Sequence, residues 1–274
     1  MTYSRRMSSR HPGCIVLLID QSASMAEPIA GDAARRPRAM ALAAAADQLL
    51  DELVQRCLDK SGRVMPWCDI AAIGYGGHGV RSLLQRPALQ LDASADPARV
   101  FVSTADLDSY AETVPGTGDP LAPSRRWIQP VSDGVTPMVE AFTVTVALVS
   151  RWVAAHPESF PPVVLHITDA QFNTGDPTPQ ATALTNLRTA DGSVLLFNLH
   201  LSGNAAEMIE YPAHPPQVGD EFATWLYQVS SPIPPQLAET SLFPLEKGAR
   251  GFVLNGGAAS LLRFFMWGTP GRVI

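Results

Sequence analysis

Long apolar runs are missing from this chain. Nowhere do about 18 apolar residues follow one another, the length a membrane-spanning helix needs, so no membrane partner is expected. Cysteine is scarce as well. The three present, Cys14, Cys57 and Cys68, cannot all pair and form no CxxC unit, which argues against a disulfide framework. Cys14 and Cys57 fall inside apolar patterns and read as buried free thiols, consistent with a reducing, cytoplasmic location. Basic charge is in deficit: 20 Lys and Arg against 26 Asp and Glu leave a formal net charge of −6. Non-specific nucleic-acid binding rests on Lys and Arg releasing counterions from phosphate, so no nucleic-acid partner is expected. Charged residues make up only 17% while 46% are hydrophobic, which excludes wholesale disorder and leaves enough apolar material for a core. The six histidines show neither HxH nor HxxxH spacing, which speaks against a zinc site.

What is present is an alternation of strand-like and helix-like segments. Residues 1–12 read as an N-terminal extension carrying Arg5, Arg6 and Arg10. The apolar stretch after it, Cys14–Ile19, is shorter than the core of a signal peptide and stops at Asp20. Continuous apolarity, as opposed to alternation, predicts a strand buried on both faces. Arg38 to Leu58 carries Leu42, Ala46, Leu49, Leu50, Leu53 and Cys57 at helical spacing. Asp69–Gly74 and Val80–Leu84 read as short strands joined through Gly76, Gly77 and Gly79. That glycine run invites a phosphate-loop reading, but no Lys-Ser/Thr follows, and turn glycine is the better reading.

Residues 92–133 are rich in Pro and Gly and read as loop. Helical spacing returns over Pro137–Ala155, and Val163–Asp169 repeats the design of the first strand. A helix over Thr178–Arg188, a strand over Ser193–Leu201, a strand over Gly251–Leu254 and a helix over Ala258–Met266 follow. Residues 207–244 read as a Pro-rich insertion on the domain edge, with Trp225 and Tyr227 exposed as interface anchors or as cover for the sheet edge. Arg125, Arg126 and Trp127 read as a solvated loop or a partner contact. His166 and His200, within buried-strand patterns, read as hydrogen-bonded core residues. The whole predicts one α/β domain over 13–274: a doubly wound, mostly parallel central sheet with helices on both faces. Ligands of such sheets sit beyond the carboxyl ends of the strands, where Asp20 and Asp169 fall.

The sharpest local signal is Asp20-Gln-Ser22-Ala-Ser24. One carboxylate and two hydroxyls leaving a strand end form a hard-oxygen set suited to Mg²⁺ or Mn²⁺. Thr136, in Asp133-Gly-Val-Thr136-Pro137, lies in a loop before a helix, and Asp169 ends the second buried strand. Thr136 also suits a helix N-cap with Pro137 at the first helical position.

At these residues the chain resembles the von Willebrand factor A (vWA) domains, whose metal-ion-dependent adhesion site (MIDAS) is built from D-x-S-x-S, a Thr in a G-x-T-P-like loop, and an Asp in a T-D-G-like loop. Asp20, Ser22 and Ser24 match the first element, Thr136 the second and Asp169 the third. The resemblance spans roughly residues 13–203 plus the last strand and helix. It departs at Ala170, where the family usually has Gly, and at Gln171, where an acidic residue is common.

What the resemblance implies is a Rossmann-like fold and a divalent cation, Mg²⁺ with Mn²⁺ or Ca²⁺ as alternatives, held by Asp20, Ser22, Ser24, Thr136 and Asp169. It further implies a partner protein that supplies a Glu or Asp to the metal. No catalytic residue is implied. Stand-alone bacterial members resemble interaction subunits of multi-protein systems: those beside AAA+ ATPases, TerY-like proteins, and kinase/phosphatase ternary systems. Two other readings stand beside this one. A metal-dependent phosphatase would also place an Asp after a buried strand, but its general acid would fall where Ser22 stands. A scaffold with a vestigial metal site is the other.

Overall fold

In the computed structural model the described residues are 2–113, 125–169, 175–202, 207–218, 220–239 and 244–268. The Ala170 and Gln171 departures lie outside them. Strand β1, Gly13–Asp20, is buried at every position. Its alternate residues serve two cores: Ile15, Leu17 and Ile19 face one layer, and Cys14, Val16 and Leu18 the other. Each such aliphatic side chain contributes about 1.5–3 kcal/mol when removed from water. That two-sided burial is why the run is apolar without alternation.

Helix α1, Arg38–Arg56, follows β1, and its alanine-rich sequence favours helix. Strands β2, Cys68–Gly76, and β3, Gly79–Ser82, form an antiparallel hairpin. Helix α2 is Met138–Ala155, strand β4 Val163–Thr168, helix α3 Thr178–Asn186 and strand β5 Leu195–Leu201. Helix α4, Glu221–Val229, precedes strand β6, Phe252–Gly256, and helix α5, Ala258–Gly268.

Across the sheet the main strands run β3-β2-β1-β4-β5-β6, with the two-residue strands Leu89–Gln90 and Ile209–Glu210 at the edges and Val102–Ser103 pairing with β2. The pairs β2–β1, β1–β4, β4–β5 and β5–β6 are parallel, and β3 is antiparallel. This is the 3-2-1-4-5-6 order of a doubly wound Rossmann-like sheet, with an antiparallel edge strand. Helices α1 and α5 cover one face and α2, α3 and α4 the other. Among the described residues, α2 is the one helix long and apolar enough to cross a membrane, with a mean hydropathy of 1.4. Here it lies on the sheet with Phe142, Leu148, Val149 and Trp152 buried.

Three local expectations are corrected. Trp225 and Tyr227 are not exposed: α4 lays them into the second core layer, where Trp225 Nε1 donates to Thr178 Oγ1 (2.8 Å) and the Tyr227 hydroxyl to the carbonyl of Ala213 (2.7 Å). The stretch read as an edge insertion thus contributes a helix to the domain. Trp127 is fully buried as well, its indole N–H donating to Leu107 O at 2.9 Å, so it offers no partner contact. The backbone N–H groups of Trp127 and Ile128 both donate to Oδ1 of buried Asp47, at 2.8 and 2.9 Å, which ties this segment to α1. Finally, Thr136 does not cap α2. The helix starts at Met138 with Pro137 at the cap position and no side-chain cap. The three cysteines are buried and free.

Candidate metal site

Parallel pairing brings three strand ends to one rim. Ile19 of β1 pairs with Ile167 of β4, and Thr168 pairs with His200 of β5. Asp20 and Asp169, the residues that end β1 and follow β4, therefore emerge side by side above the carboxyl edge of the sheet. The polypeptide leaves β1 through Gln21 and Ser22 into a single turn of 3₁₀ helix, Ala23–Ala26. This turn folds the two serines back over the strand end.

The side chains form one cluster. The backbone amide of Ser22 donates to Asp20 Oδ1 at 2.8 Å. The hydroxyls of Ser22 and Ser24 lie 3.1 Å apart, and Ser24 Oγ donates to Asp169 Oδ1 at 2.7 Å. Asp20, Ser22, Ser24 and Asp169 thus share a continuous set of hydrogen bonds across 149 positions of sequence. The loop that carries Thr136 docks against the turn after β1 through Asp133 and Gly134. The amide of Ala23 donates to Gly134 O (3.1 Å), Asp133 N to Gln21 O (2.8 Å) and Gly77 N to Asp133 O (2.7 Å). Thr136 itself is buried. Gly134 has φ +66, and a Cβ there would stand 2.3 Å from Gly77 Cα, so glycine at 77 and 134 lets the two loops touch.

Two participants were not anticipated from sequence. Thr168 Oγ1 donates to Asp20 Oδ2 at 2.6 Å from directly beneath. Arg38, at the first position of α1, is 6% exposed and places Nη1 2.5 Å from Asp169 Oδ2 and Nη2 3.2 Å from Glu27 Oε2. Thr168 carries a weak sequence signal, a hydroxyl at the end of an apolar strand beside the candidate Asp. Arg38 carries none, because its place at the rim depends on how α1 docks.

Below the cluster runs a buried polar chain. Tyr75, on β2, places its hydroxyl 2.7 Å from His166 Nε2, and His166 Nδ1 lies 2.8 Å from Asn198 Oδ1. Asn198 Nδ2 in turn donates to Ser230 Oγ (2.8 Å). An amide oxygen can only accept, so His166 carries its proton on Nδ1 and its Nε2 accepts from Tyr75. Burial pushes the His166 imidazole down to about 4, opposed by the Asn198 bond, and so keeps it neutral.

The electrostatics of the rim are those of an incompletely compensated anion. Burial raises the Asp20 carboxyl to about 6 against the pull of its Ser22 and Thr168 hydrogen bonds, and the charge of Asp169 adds to the rise. Among the described residues no group of three or more His, Cys, Asp or Glu side chains gathers as a metal cluster. The candidate set is instead two carboxylates with hydroxyls, oxygen throughout and without sulfur or imidazole. That chemistry fits a hard divalent cation such as Mg²⁺ or Mn²⁺. Arg38 takes up Oδ2 of Asp169 and leaves Oδ1 on the side of the serines.

No family model matches the chain, and no curated protein matches it. Among solved structures it is similar to proximal thread matrix protein 1 of the mussel byssus, at 14% identity and a TM-score of 0.39, covering 72% of this chain and 39% of that one. A further structure of that mussel protein is described with a zinc-occupied MIDAS motif. The chain is also similar to the VWA domain of SpRpn10 (13% identity, TM-score 0.37, 69% of this chain and 76% of that one). A third likeness is to the manganese-loaded TRAP protein of Plasmodium vivax, at 12% identity and a TM-score of 0.39, covering 93% and 72%. The chain spans about two fifths of the length of the mussel protein. At these TM-scores the likenesses carry no argument, and the fold class stands on this chain's own strand order and helix placement.

Proposed function

We propose that this protein is a metal-dependent interaction module of the vWA type, which binds an acidic group of a partner protein at the rim formed by Asp20, Ser22, Ser24, Thr136 and Asp169. The observation that carries the reading is the hydrogen-bonded convergence of Asp20, Ser22, Ser24 and Asp169 on one rim, with a buried Asp20 carboxylate that, among the described residues, forms no ion pair with a cationic side chain. When bound, Mg²⁺ or a similar cation supplies an electrophilic contact for a carboxylate from outside. The chain's own residues do the rest. Thr168 and the Ser22 amide fix both oxygens of Asp20, so its orientation is set before any ligand arrives. Ser24 and Arg38 do the same for Asp169. The neutral hydroxyls of Ser22, Ser24 and Thr136 would hold a cation without quenching its charge, and so would leave it attractive to an external carboxylate.

In the wider setting we place the protein in the cytoplasm of a bacterium. It would work there as the interaction subunit of a multi-protein system that includes a AAA+ ATPase, a kinase or a phosphatase. No observation at the site favours hydrolysis: a second carboxylate two positions after Asp20, where a phosphatase needs its general acid, is replaced by Ser22.

The test is thermal melting in millimolar Mg²⁺ or Mn²⁺ against EDTA. A ligand bound only by the folded state stabilises by RT ln(1 + [L]/Kd), so the cation raises Tm, by an amount equal to about 2.7 kcal/mol at a hundredfold excess over Kd. Asp20→Asn is expected to abolish the rise and Ser22→Ala to reduce it. An unchanged melting temperature in wild type would remove the metal from the account and leave the scaffold reading.

A further inference from the structure

Beside the cluster, at Asp169, lies a cleft of about 380 Å³ lined by Asp169, Arg38, Arg35, Glu27, His200 and Ser202, among others. Resting on the function proposed above, we infer that this cleft is a second acidic-recognition subsite, which takes a second carboxylate from the same partner segment that gives its first to the metal. At the small end of ligand clefts, roughly 300–1,000 Å³, it suits a side chain better than a cofactor.

Three observations place a carboxylate there. The first is Arg35. Among the described residues it makes no ion pair, whereas the charge of Arg38 is already taken up by Asp169 and Glu27. The second is the way Arg35 is held. Residues 28–37 form a tight loop closed by Ile29 N to Arg36 O (3.0 Å) and tied to the body by Ala30 N to Ser202 O (2.9 Å). Inside it, Asp32 accepts from the amides of Ala34 and Arg36 and from Arg36 Nε (2.8 Å). At its end Arg35 has φ +51, a left-handed conformation that costs a non-glycine residue energy and that the loop maintains. Arg36 is committed to Asp32, so the residue left to face a ligand is Arg35. The third is a pair of orphaned donors or acceptors. Among the described residues, Arg38 Nε and His200 Nδ1 are buried with no hydrogen-bond partner, and both residues line this cleft. A buried polar atom left unpaired is costly, and a carboxylate entering here offers oxygens to Arg38 and, in the matching tautomer, to His200. Glu27, 65% exposed on its side chain, is the group such a carboxylate competes with.

The partner class that follows is a protein segment bearing two acidic side chains a few residues apart: one for the metal, one for Arg35. A segment with a single acid binds through the metal alone.

The experiment uses the full chain with capped glycine-rich pentapeptides to octapeptides, one set with a single Asp and one with a second Asp or Glu one to four residues away. Titration calorimetry in millimolar Mg²⁺ is the readout, with Mg²⁺-dependent melting of each variant as control. At one spacing the two-acid peptide is expected to bind about tenfold tighter than the single-acid peptide, the value of one charge-assisted contact. Arg35→Asn, a substitution the left-handed position tolerates, is expected to erase that advantage while leaving the Mg²⁺ melting shift as in wild type. If no spacing gains affinity, or if the gain survives Arg35→Asn, the subsite is refuted and the metal-dependent reading stands. If the single-acid peptide fails to bind in Mg²⁺ even though Mg²⁺ raises Tm, the acidic-partner reading itself falls, and the subsite with it.

Discussion

Lowering the pH should cost this protein stability through His166, by an amount the structure sets. In the unfolded chain an imidazole titrates near 6.5; in the fold, burial holds His166 at about 4. A folded-state value below the unfolded one means that the stabilising contribution is complete above 6.5 and is lost as pH falls from 6.5 toward 4, because the unfolded chain takes up the proton first. At pH 5 the unfolded imidazole is almost fully protonated and the folded one almost fully neutral, and pH 5 lies about 1.5 pH units below the unfolded value. At about 1.4 kcal/mol per unit this comes to roughly 2 kcal/mol. Asp20 and Asp47 act in the opposite sense. Burial raises both to about 6, so their contributions improve on acidification over the same range and mask the histidine in wild type. The variant His166→Gln removes the titration while keeping groups that can bond to Tyr75 and Asn198. Urea unfolding of both proteins at pH 7.5 and pH 5 isolates the term: the wild type's advantage over the variant is expected to shrink by about 2 kcal/mol at the lower pH. An advantage of equal size at both pH values would show that His166 is not held neutral by its surroundings, and the Tyr75–His166–Asn198 proton assignment would go with it.

Three further outcomes follow from particular contacts. Asp47→Ala orphans the buried amides of Trp127 and Ile128 and is expected to lower unfolding free energy by roughly 3 kcal/mol, measured by urea titration. Gly134→Ala forces a left-handed alanine and sets its Cβ against Gly77 Cα. A loss of about 2 kcal/mol, together with loss of the Mg²⁺ melting shift, is expected as the Thr136 loop is pushed off the rim. In Mn²⁺ binding followed by electron paramagnetic resonance, Asp20→Asn is expected to abolish high-affinity binding, whereas Ser22→Ala weakens it by a smaller factor. Equal effects would mean that the carboxylate is not the dominant ligand.

Much of the architecture was legible before any coordinates. The runs at 14–20 and 163–169 are apolar without alternation because both faces of β1 and β4 are covered, and that periodicity is a local property of the sequence. Helices α1 and α2 announced themselves through stripes at helical spacing. Helix α4 did not. It spans nine residues between prolines at 216 and 232, and Trp225 and Tyr227 looked exposed because nothing nearby in sequence tells which face of so short a helix meets a core.

The candidate site divides along the same line. Sequence alone determined which oxygen-bearing residues end the strands, since a carboxylate after a buried run and hydroxyls two and four positions on are local chemistry. Only the tertiary structure decided that Thr168 braces Asp20 from beneath, that Arg38 pairs with Asp169, and that Asp47 anchors a segment 80 residues away. The physical reason is that hydrogen bonds and ion pairs between distant residues leave no periodicity in the chain. They come into being when strand register and helix docking bring the groups within about 3 Å, and nothing shorter-ranged records them.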